Sequence, residues 1–418
     1  MAGETGAFEA ARKALKIRCF FIVLLAGIFS CHLAFSQVVA SFFYNKDGTV
    51  REERDTNGDG KTDRWIYYNK EGKIERAEQD ENFDGKPDIF LFYEDGKLKR
   101  QQLSTKRDSR IDVWNFFNDK GEIERKEQDT NGDGKVDLWV FYQNDQPIRS
   151  EEDRNFDGRA DRIVYFQDGK ISRVEEDNGG TGKMDTFSYF QNGQLVRKEI
   201  DRRHTGKTDL WGFYQNGQLV RQEEDMNGHG KVDRTIYFQG DQIVLREEDS
   251  RSQGRVDLVE SFSQGRLTER LKDTKGSGKF DTLYVFKDDK LIREERDTDG
   301  DGFFDLRIFY ENGEVIRQEA DTNKDHRVDV WVTFRDGKQA QQDEDQNFNG
   351  KIDARYTFKD GQVVAQEKIA ELEPNTPALP FGSIEDELAS ITASVTSKEQ
   401  KAEKVATKPE RQQATGKK

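Results

Sequence analysis

The chain has 418 residues, with 67 Lys and Arg against 82 Asp and Glu, and its formal net charge is −15. Only 33% of the residues are hydrophobic and 36% are charged, whereas soluble domains have roughly 45 to 50% apolar and roughly 25% charged residues. This composition argues against a large buried enzyme core, and the acidic balance argues against a nucleic acid partner and favours cations. Because 29 Phe, 12 Tyr and 5 Trp are too many aromatic residues for a disordered chain, an ordered but thin structure is expected.

The N-terminus has the pattern of an export signal. Basic residues precede an apolar run from Cys19 to Phe29, which is too short to cross a bilayer comfortably. Residues 34–36, Ala-Phe-Ser, fit the small-x-small pattern of a cleavage site. The sequence therefore predicts a signal peptide over 1–36 and an extracytoplasmic protein that is periplasmic, on the cell surface or secreted. A retained membrane anchor and a lipid-modified Cys31 are the alternatives.

One unit recurs from Phe42 to about Gln366, so we predict a repeat domain over 37–366. Ten of the twelve spacings between units are 24 residues and two are 25, and the extra residue falls at a turn each time. The last Asp of each of the thirteen units sets this period: Asp63, Asp88, Asp112, Asp137, Asp161, Asp185, Asp209, Asp233, Asp257, Asp281, Asp305, Asp329 and Asp353.

Each unit begins with a five-residue apolar run such as 138–142, whose last position is Phe or Tyr in all thirteen units and whose second position holds all five Trp. Aromatic and β-branched residues in a run of this length indicate a strand. An Asn-Gly or Asp-Gly turn follows, which is the strongest short-range hairpin signal, and then a polar strand such as 219–224. Within polar strands, Arg76 and Glu78 share one face, which predicts weak surface ion pairs.

The repeat predicts an all-β fold, a tandem 24-residue β-hairpin array in an extended or spiral sheet. A hairpin is marginally stable alone, so stacked neighbours must bury the aromatic residues. With the hairpin that begins at Phe42 there are fourteen hairpins, whose 28 strands would also suit a seven-bladed β-propeller. The 48-residue super-period expected of a propeller is not visible, so this fold is the alternative.

A nine-residue loop joins each hairpin to the next, and in residues 55–63 it reads Asp-x-Asn-x-Asp-Gly-x-x-Asp. Oxygen ligands at alternate positions converge when the chain turns sharply, and the Gly at the sixth position permits that turn. Calcium takes six to eight oxygen ligands at about 2.3 to 2.6 Å, which the side chains, the seventh-position carbonyl and water can supply. We therefore predict calcium as the cofactor.

Five loops are complete, and the loop from Asp321 differs by His326 in place of Gly. The loop from Asp345 has Asn349 at the fifth position. The predicted metal ligands are Asp55, Asn57, Asp59, Lys61 through its carbonyl, Asp63, Asp80, Asn82, Asp84, Asp88, Asp129, Asn131, Asp133, Asp137, Asp153, Asn155, Asp157, Asp161, Asp297, Asp299, Asp301, Asp305, Asp321, Asn323, Asp325 and Asp329.

The remaining loops are degenerate. The loop from Asp225 keeps Asn227 but has His229 at the fifth position, and five others have lost ligands, as in 201–209 and 249–257. We hypothesise that an Arg or Lys at the third position supplies the positive charge that a metal otherwise provides. Since the ninth Asp is present in every loop, a second interpretation is that it caps the turn by accepting backbone N–H groups.

The loop resembles the first nine residues of the EF-hand loop and the calcium loops of dockerins and thrombospondin type 3 repeats. It departs at the twelfth position, where an EF-hand has Glu and this chain has strand residues such as Ile66 or Val140, and flanking helices are not predicted. The resemblance therefore implies weak binding, with a Kd on the order of 10⁻⁴ to 10⁻³ M. Calcium loops of this type also resemble those of FG-GAP propeller blades.

The hairpin resembles other repeats in the order of its aromatic residues, its turn and its glycine. Residues 189–197, Tyr-Phe-Gln-Asn-Gly-Gln-Leu-Val-Arg, look like YD-type and variant MORN-type hairpin repeats. Residues 65–73 are similar to choline-binding and glucan-binding repeats. These resemblances imply a scaffold or a surface-binding role.

The repeat stops after Gln366 and a Pro-containing linker is predicted over 367–382. Ser383 is predicted to cap a short amphipathic helix over 383–397 whose apolar face includes Ile384, Leu388 and Ile391. The helix covers the exposed edge of the last repeat or binds a partner, and otherwise the segment is disordered. Residues 398–418 are predicted to be a disordered Lys-rich tail.

No nucleophile-base pair or phosphate loop is present, so we predict that the protein is not an enzyme. The leading interpretation is an exported calcium-binding β-repeat protein that serves as a structural scaffold or an adhesive surface. The alternative is a carbohydrate- or choline-binding surface module that uses the aromatic strands. The expected partners are calcium ions and either envelope polysaccharide or another surface protein, with membrane contact only through a signal or lipid anchor.

Overall fold

The computed structural model describes residues 39–374 and 379–393. The predicted signal peptide 1–36, residues 394–397 of the predicted helix and the tail 398–418 lie outside the described residues. The chain divides after Pro87 into two compact units, and each is described by itself. In the described ranges, no helix has the length and apolar character needed to cross a membrane.

The first unit contains two hairpins. Its strands are β1 (Val39–Tyr44), β2 (Val50–Asp55), β3 (Arg64–Tyr68) and β4 (Ile74–Gln79). Each strand pairs with the next one in antiparallel orientation. The nine-residue loop between β2 and β3 therefore joins adjacent strands at one end, as the hairpin turns do at the opposite end of the strands.

The second unit continues the pattern with twelve hairpins and confirms the predicted all-β repeat fold. The aromatic strands are β5 (Ile89–Glu94), β7 (Val113–Phe117), β9 (Leu138–Gln143), β11 (Arg162–Gln167), β13 (Thr186–Gln191), β15 (Leu210–Gln215), β17 (Arg234–Gln239), β19 (Leu258–Ser263), β21 (Thr282–Lys287), β23 (Leu306–Glu311), β25 (Val330–Arg335) and β27 (Ile352–Lys359). The polar strands are β6 (Lys97–Leu103), β8 (Ile123–Gln128), β10 (Gln146–Glu152), β12 (Lys170–Glu176), β14 (Gln194–Ile200), β16 (Gln218–Glu224), β18 (Gln242–Glu248), β20 (Arg266–Lys272), β22 (Lys290–Arg296), β24 (Glu314–Ala320), β26 (Lys338–Glu344) and β28 (Gln362–Leu372). In chain order from β5 to β28, each strand pairs with the following one in antiparallel orientation, so aromatic and polar strands alternate in the sheet.

The alternative of a seven-bladed propeller is wrong. A propeller interrupts the hydrogen-bonded ladder after every fourth strand, whereas here β8 pairs with β9, β12 with β13 and β16 with β17. The loop itself forces this continuity. The N–H of the ninth residue, Asp161, donates to the carbonyl of Glu152 just before the loop, at 2.8 Å. The next strand must therefore lie beside the last one.

The hairpin turns have the conformation that their sequences predict. Asn192 and Gly193 have φ values of 52° and 81°, as a type I′ turn requires. A bulge follows the turn, which the sequence pattern did not predict. Tyr189 pairs with Arg197 and Phe190 with Leu195, so Val196 is left over on the polar strand. The bulge recurs in most hairpins and bends the strand where the last aromatic residue of the unit lies.

One face of the sheet carries the second and fourth residues of each apolar run, and we call it the aromatic face. On this face Phe187 lies opposite Glu175, and Tyr189 lies opposite Arg173. The guanidinium of Arg173 lies 5.5 Å from the ring centroid of Tyr189 and forms an ion pair of 2.9 Å with Glu175. Arg and Glu are thus side by side, and each stacked Arg adds about 0.5 to 1 kcal/mol.

The buried core of the second unit lies where the aromatic face becomes aliphatic. Leu245 stands at an Arg position and Leu271 at a Glu position, while Val259 and Leu283 take positions that hold Trp elsewhere. These four side chains are at most 1% exposed. Helix α1 (384–393) packs on this cluster, and its Ile391 is buried there together with the preceding Phe381.

The helix therefore covers the face of earlier repeats instead of the edge of the last one, because its apolar stripe meets aliphatic side chains there. Ser383 caps it by accepting the N–H of Asp386 at 3.1 Å. The N–H of Ile384 donates to the carbonyl of Gly302 at 3.0 Å. The last strand β28 runs past the expected linker start at 367, since its Leu372 pairs with Ile352 of the long strand β27.

Asp289 occupies a turn position that suits glycine, with a φ of 63°. Left-handed backbone costs an L-residue roughly 1 kcal/mol, so Asp289→Gly is expected to raise the thermal midpoint measured by circular dichroism. Asp241 fills the same turn position after Gly240 but does not have a positive φ. Asp241→Gly is the control and should give no gain; equal effects of the two substitutions would contradict the prediction.

Candidate metal centre

Within each unit of the structure, the Asp-rich loops lie side by side at one end of the strands. This follows from the sequential pairing, because every loop leaves the end of a polar strand and every hairpin turn lies at the opposite end. Consecutive loops are joined through the backbone, as where the N–H of Asp153 donates to the carbonyl of Asp137 at 2.8 Å. At about 4.8 Å per strand, neighbouring loops are roughly 10 Å apart.

The side chains of a complete loop are held by the loop's own backbone. Asp129 accepts the N–H groups of Gly132 and Gly134 at 2.6 and 2.8 Å. Asn131 accepts the N–H of Asp133 at 2.8 Å. The two glycines have φ values of 84° and 90°, which turn the backbone sharply around these carboxylate and amide oxygens. The loops from Asp55 and Asp297 have the same bonds.

The predicted ligands form an inner and an outer set. The buried ones are Asp63, Asp80, Asp88, Asp129, Asp137, Asp153, Asp161, Asp297, Asp321 and Asp329. Half-buried are Asp55, Asn82, Asp305 and Asn323, and exposed are Asn57, Asp59, Lys61, Asp84, Asn131, Asp133, Asn155, Asp157, Asp299, Asp301 and Asp325. The first and ninth residues thus form the floor of each loop, and the fifth residues face solvent, as do the third residues other than the half-buried Asn82 and Asn323. The loop from Asp80 runs across the division between the units, so its Asp88 belongs to the second unit.

The ninth Asp caps the loop in complete and degenerate loops alike. Asp137 accepts the N–H of Thr130 at 3.0 Å and its hydroxyl at 2.6 Å. In degenerate loops, Asp112 accepts the N–H of Thr105 and Asp257 that of Ser250, both at 2.8 Å. The presence of Asp at this position in every loop therefore has a structural reason that needs no metal.

The pKa of the ninth Asp is shifted in opposite directions in two loops. Burial alone would raise the pKa of Asp281, but hydrogen bonds from Thr274, Thr282 and Lys275 outweigh burial and hold this pKa below its usual value. In the loop from Asp321, burial raises the pKa of Asp329, and the nearby charge of Asp321 raises it further against the hydrogen bonds of Thr322. A cation beside Asp321 and Asp329 would relieve this repulsion.

The carboxylates of one predicted loop converge. Asp297, Asp299 and Asp305 each place a carboxylate oxygen within 4.8 Å of the others. Asp299 also forms an ion pair of 2.6 Å with Lys324 of the next loop. In the other complete loops the third ligand is Asn, so fewer carboxylates are available to meet there.

A second group in the described residues, Asp225, His229 and Asp233, converges to the same extent but was not among the predicted ligands. His229 replaces the fifth Asp, and its ring nitrogens lie 3.4 Å from Asp225 and 3.3 Å from Asp233. The sequence signal was present, since the first and ninth Asp frame a His at a ligand position. A loop pattern restricted to oxygen ligands does not include His229.

Comparison with known proteins assigns this chain to no family. No protein-family model matches the chain. No curated protein matches it. The chain is similar to a solved structure titled "Crystal Structure of TcdB2-TccC3 without hypervariable C-terminal region", with 12% sequence identity and a TM-score of 0.16. The match covers 76% of this chain and 23% of that chain, so this chain spans less than a quarter of that structure.

Replacing Asp281 by Asn removes one acceptor oxygen from a carboxylate that accepts N–H groups from Thr274 and Lys275. We expect Asp281→Asn to cost about 1 to 3 kcal/mol of local stability, measured as faster hydrogen exchange of residues 273–281. Because the folded pKa of Asp281 is lowered, its contribution is present above the unfolded pKa of about 4 and is lost as pH falls through the folded value. Asp288→Asn, at an exposed turn, is the control, and equal effects of the two variants would contradict the prediction.

Proposed function

We propose that the protein is an exported calcium-binding β-repeat protein that acts as a structural scaffold or an adhesive surface. The supporting observation is the loop from Asp297, where three carboxylates each place an oxygen within 4.8 Å of the others. Carboxylates this close repel one another, and Lys324 pairs with Asp299 alone, so a bound cation would balance Asp297 and Asp305 as well. The ligands of the complete loops are oxygens only, which favours calcium over metals that prefer imidazole or thiolate.

The position of the loops supports a mechanical role for calcium. Each loop is the joint between two hairpins, and its fifth residue faces solvent while its first residue is largely buried. A cation held between these groups would tie the outer part of the loop to the sheet. Filled loops would stiffen the array, and empty ones would leave the joints loose.

Export is part of the proposal and is supported by the basic and apolar segments that precede residues 34–36. Weak loops suit an extracytoplasmic setting, since extracellular calcium modules bind with a Kd of roughly 10⁻⁴ to 10⁻³ M. The proposed partners of the calcium-filled array are envelope polysaccharide or another surface protein.

Calcium is expected to raise the thermal midpoint of the full chain, and chelator is expected to lower it, because ligand binding to the folded state stabilises that state. Titration calorimetry should count about five ions, one for each complete loop. The double variant Asp299→Asn, Asp301→Asn should bind one ion fewer, whereas Ser277→Ala, at the fifth position of a degenerate loop, should not change the count. Identical melting with calcium and with chelator, together with no bound ions, would reject the proposal.

A second candidate function is binding of carbohydrate or choline on the aromatic face. The observation that favours it is the partial exposure of Trp114, Trp139 and Trp211, which are half-buried at equivalent positions of that face. A ring with one accessible surface can stack on a sugar or hold a quaternary ammonium group.

A soluble glucan and choline are the probes for this second function. Binding should quench the fluorescence of the full chain, and Trp139→Ala should reduce the quenching. Trp331 packs against the apolar cluster under helix α1, so Trp331→Ala serves as the control and should leave the ligand-dependent part unchanged. No quenching by either probe would reject binding on this face.

A further inference from the structure

Three of the four loops that begin at Asp201, Asp225, Asp249 and Asp273 carry a cation that reaches the following loop. In the loop from Asp201, Nη2 of Arg203 donates to the carbonyl of Asp225 at 2.7 Å, and its Nε lies 3.9 Å from the carboxylate of Asp209. Arg203 therefore lies between the ninth Asp of its own loop and the first residue of the next loop. Its neighbour Arg202 donates to Asp209 at 2.6 Å.

The next two joints of this type repeat the arrangement. Nη1 of Arg251 lies 3.7 Å from Asp257 in its own loop and 3.8 Å from Asp273 in the next loop, and Nη2 donates to the carbonyl of Thr274 at 3.2 Å. Nζ of Lys275 donates to the carbonyl of Asp297 at 2.8 Å. Arg203, Arg251 and Lys275 all stand at the third loop position.

The loop from Asp225 has no cation at the third position; there the side-chain amide of Asn227 donates to Oγ of Ser252 in the next loop at 2.7 Å, and His229 stands at the fifth position. It lies in the loop from Asp225, with one ring nitrogen facing Asp225 and the other facing Asp233. Nδ1 of His229 also accepts the N–H of Lys231 at 3.2 Å. A group of the chain itself thus fills the place between the first and ninth Asp.

The loops of the metal-binding pattern behave differently at the third position. There Asn131 or Asn155 accepts the N–H two residues further on, at 2.8 and 2.9 Å. In these two loops the side chain turns back into its own loop. The loop from Asp297 differs, because its third residue Asp299 pairs with Lys324 of the next loop at 2.6 Å.

A second, independent observation concerns the same repeats. The buried apolar cluster of Leu245, Val259, Leu271 and Leu283 lies on strands β18 to β21, and helix α1 covers it. Apolar burial of this kind stabilises a fold without any metal, at about 25 cal/mol per Å². The loops with their own cations and the aliphatic core fall in one stretch of the chain.

We infer that residues 201–297 form a metal-independent segment of the array, in which side chains of Arg203, Asn227, Arg251 and Lys275 join consecutive loops in place of calcium. The inference rests on the proposed function in one respect: calcium binding by the flanking repeats is what distinguishes them from this segment. Calcium then orders the joints on either side of this segment and leaves the segment itself unchanged.

Hydrogen exchange of the full chain, followed by mass spectrometry in calcium and in chelator, tests the contrast. Residues 201–297 should exchange at the same rate in both conditions, whereas the complete loops from Asp129 and Asp153 and residues 298–305 should exchange faster in chelator. Faster exchange of 201–297 in chelator, equal to that of the flanking loops, would overturn the inference. If chelator changes no loop and no ion binds, the proposed function fails, and the variants below still decide the role of the cations.

Arg251→Gln should accelerate exchange of residues 273–281 about tenfold in both conditions, since a hydrogen bond from a charged group is lost. Arg266→Gln is the matched control, because Arg266 forms an exposed ion pair of 3.0 Å with Asp288 at the other edge, 22 residues away. If residues 273–281 exchange in both variants at the rate of the natural chain, Arg251 does not hold this joint.

A conversion variant tests the same idea as a gain of function. Arg251→Asn with Gln253→Asp restores the Asp-x-Asn-x-Asp-Gly pattern in the loop from Asp249. It should bind one more calcium ion than the natural chain, and exchange of residues 273–281 should become sensitive to chelator. A variant whose exchange in chelator matches that of the natural chain would show that Arg251 does not hold this joint.

Discussion

Each joint of the array depends on carboxylates that accept backbone N–H groups. The first Asp of a loop bonds the sharp turn around the sixth residue, and the ninth Asp bonds the start of the loop, as Asp129 and Asp137 do. Nine residues thereby form a closed link that places the next strand beside the last. Without this link the aromatic strands would not share a sheet, and a hairpin of this size is barely stable by itself.

The same carboxylates create the electrostatic problem that gives the array its chemistry. Buried Asp residues at every joint repel one another unless hydrogen bonds or cations balance them. Two solutions stand side by side in this chain. In some loops the third and fifth residues add further oxygens, as in the group of Asp297, Asp299 and Asp305. In others an Arg, Lys or His of the chain enters, as Arg251 does between Asp257 and Asp273.

Much of the fold was predictable from the sequence because local chemistry and the period agree. Asn192 and Gly193 tolerate positive φ, and the apolar run has the length of a strand, so the hairpin follows from the pattern. The bulge at Val196 was not predictable, since no special residue marks it and it arises from the pairing of two whole strands. The docking of helix α1 was also missed, because it requires comparing residues far apart, such as Leu245, Leu271 and Ile391.

For the candidate site, the loops and their framing Asp residues were predictable, because a nine-residue motif is local. The hydrogen bonds from Arg203 and Lys275 to the next loop were not predictable, since they join residues 22 apart and depend on how neighbouring loops stack. His229 shows a further limit. A pattern built from oxygen ligands does not include a ring nitrogen, although the same loop positions bring it between two carboxylates.

The strictly sequential pairing of strands also governs how such a chain acquires its structure. Within each unit, every ladder between the described strands joins a strand to its immediate successor, so contact order is low and little loop entropy is lost at each step. Hairpins can therefore form in order as the chain emerges, each on the edge of the one before. The exception is the C-terminal segment, where Arg307 bonds the carbonyl of Leu379 across 72 residues. Its docking must wait until the last repeat has been made, which makes helix α1 the final element to fold.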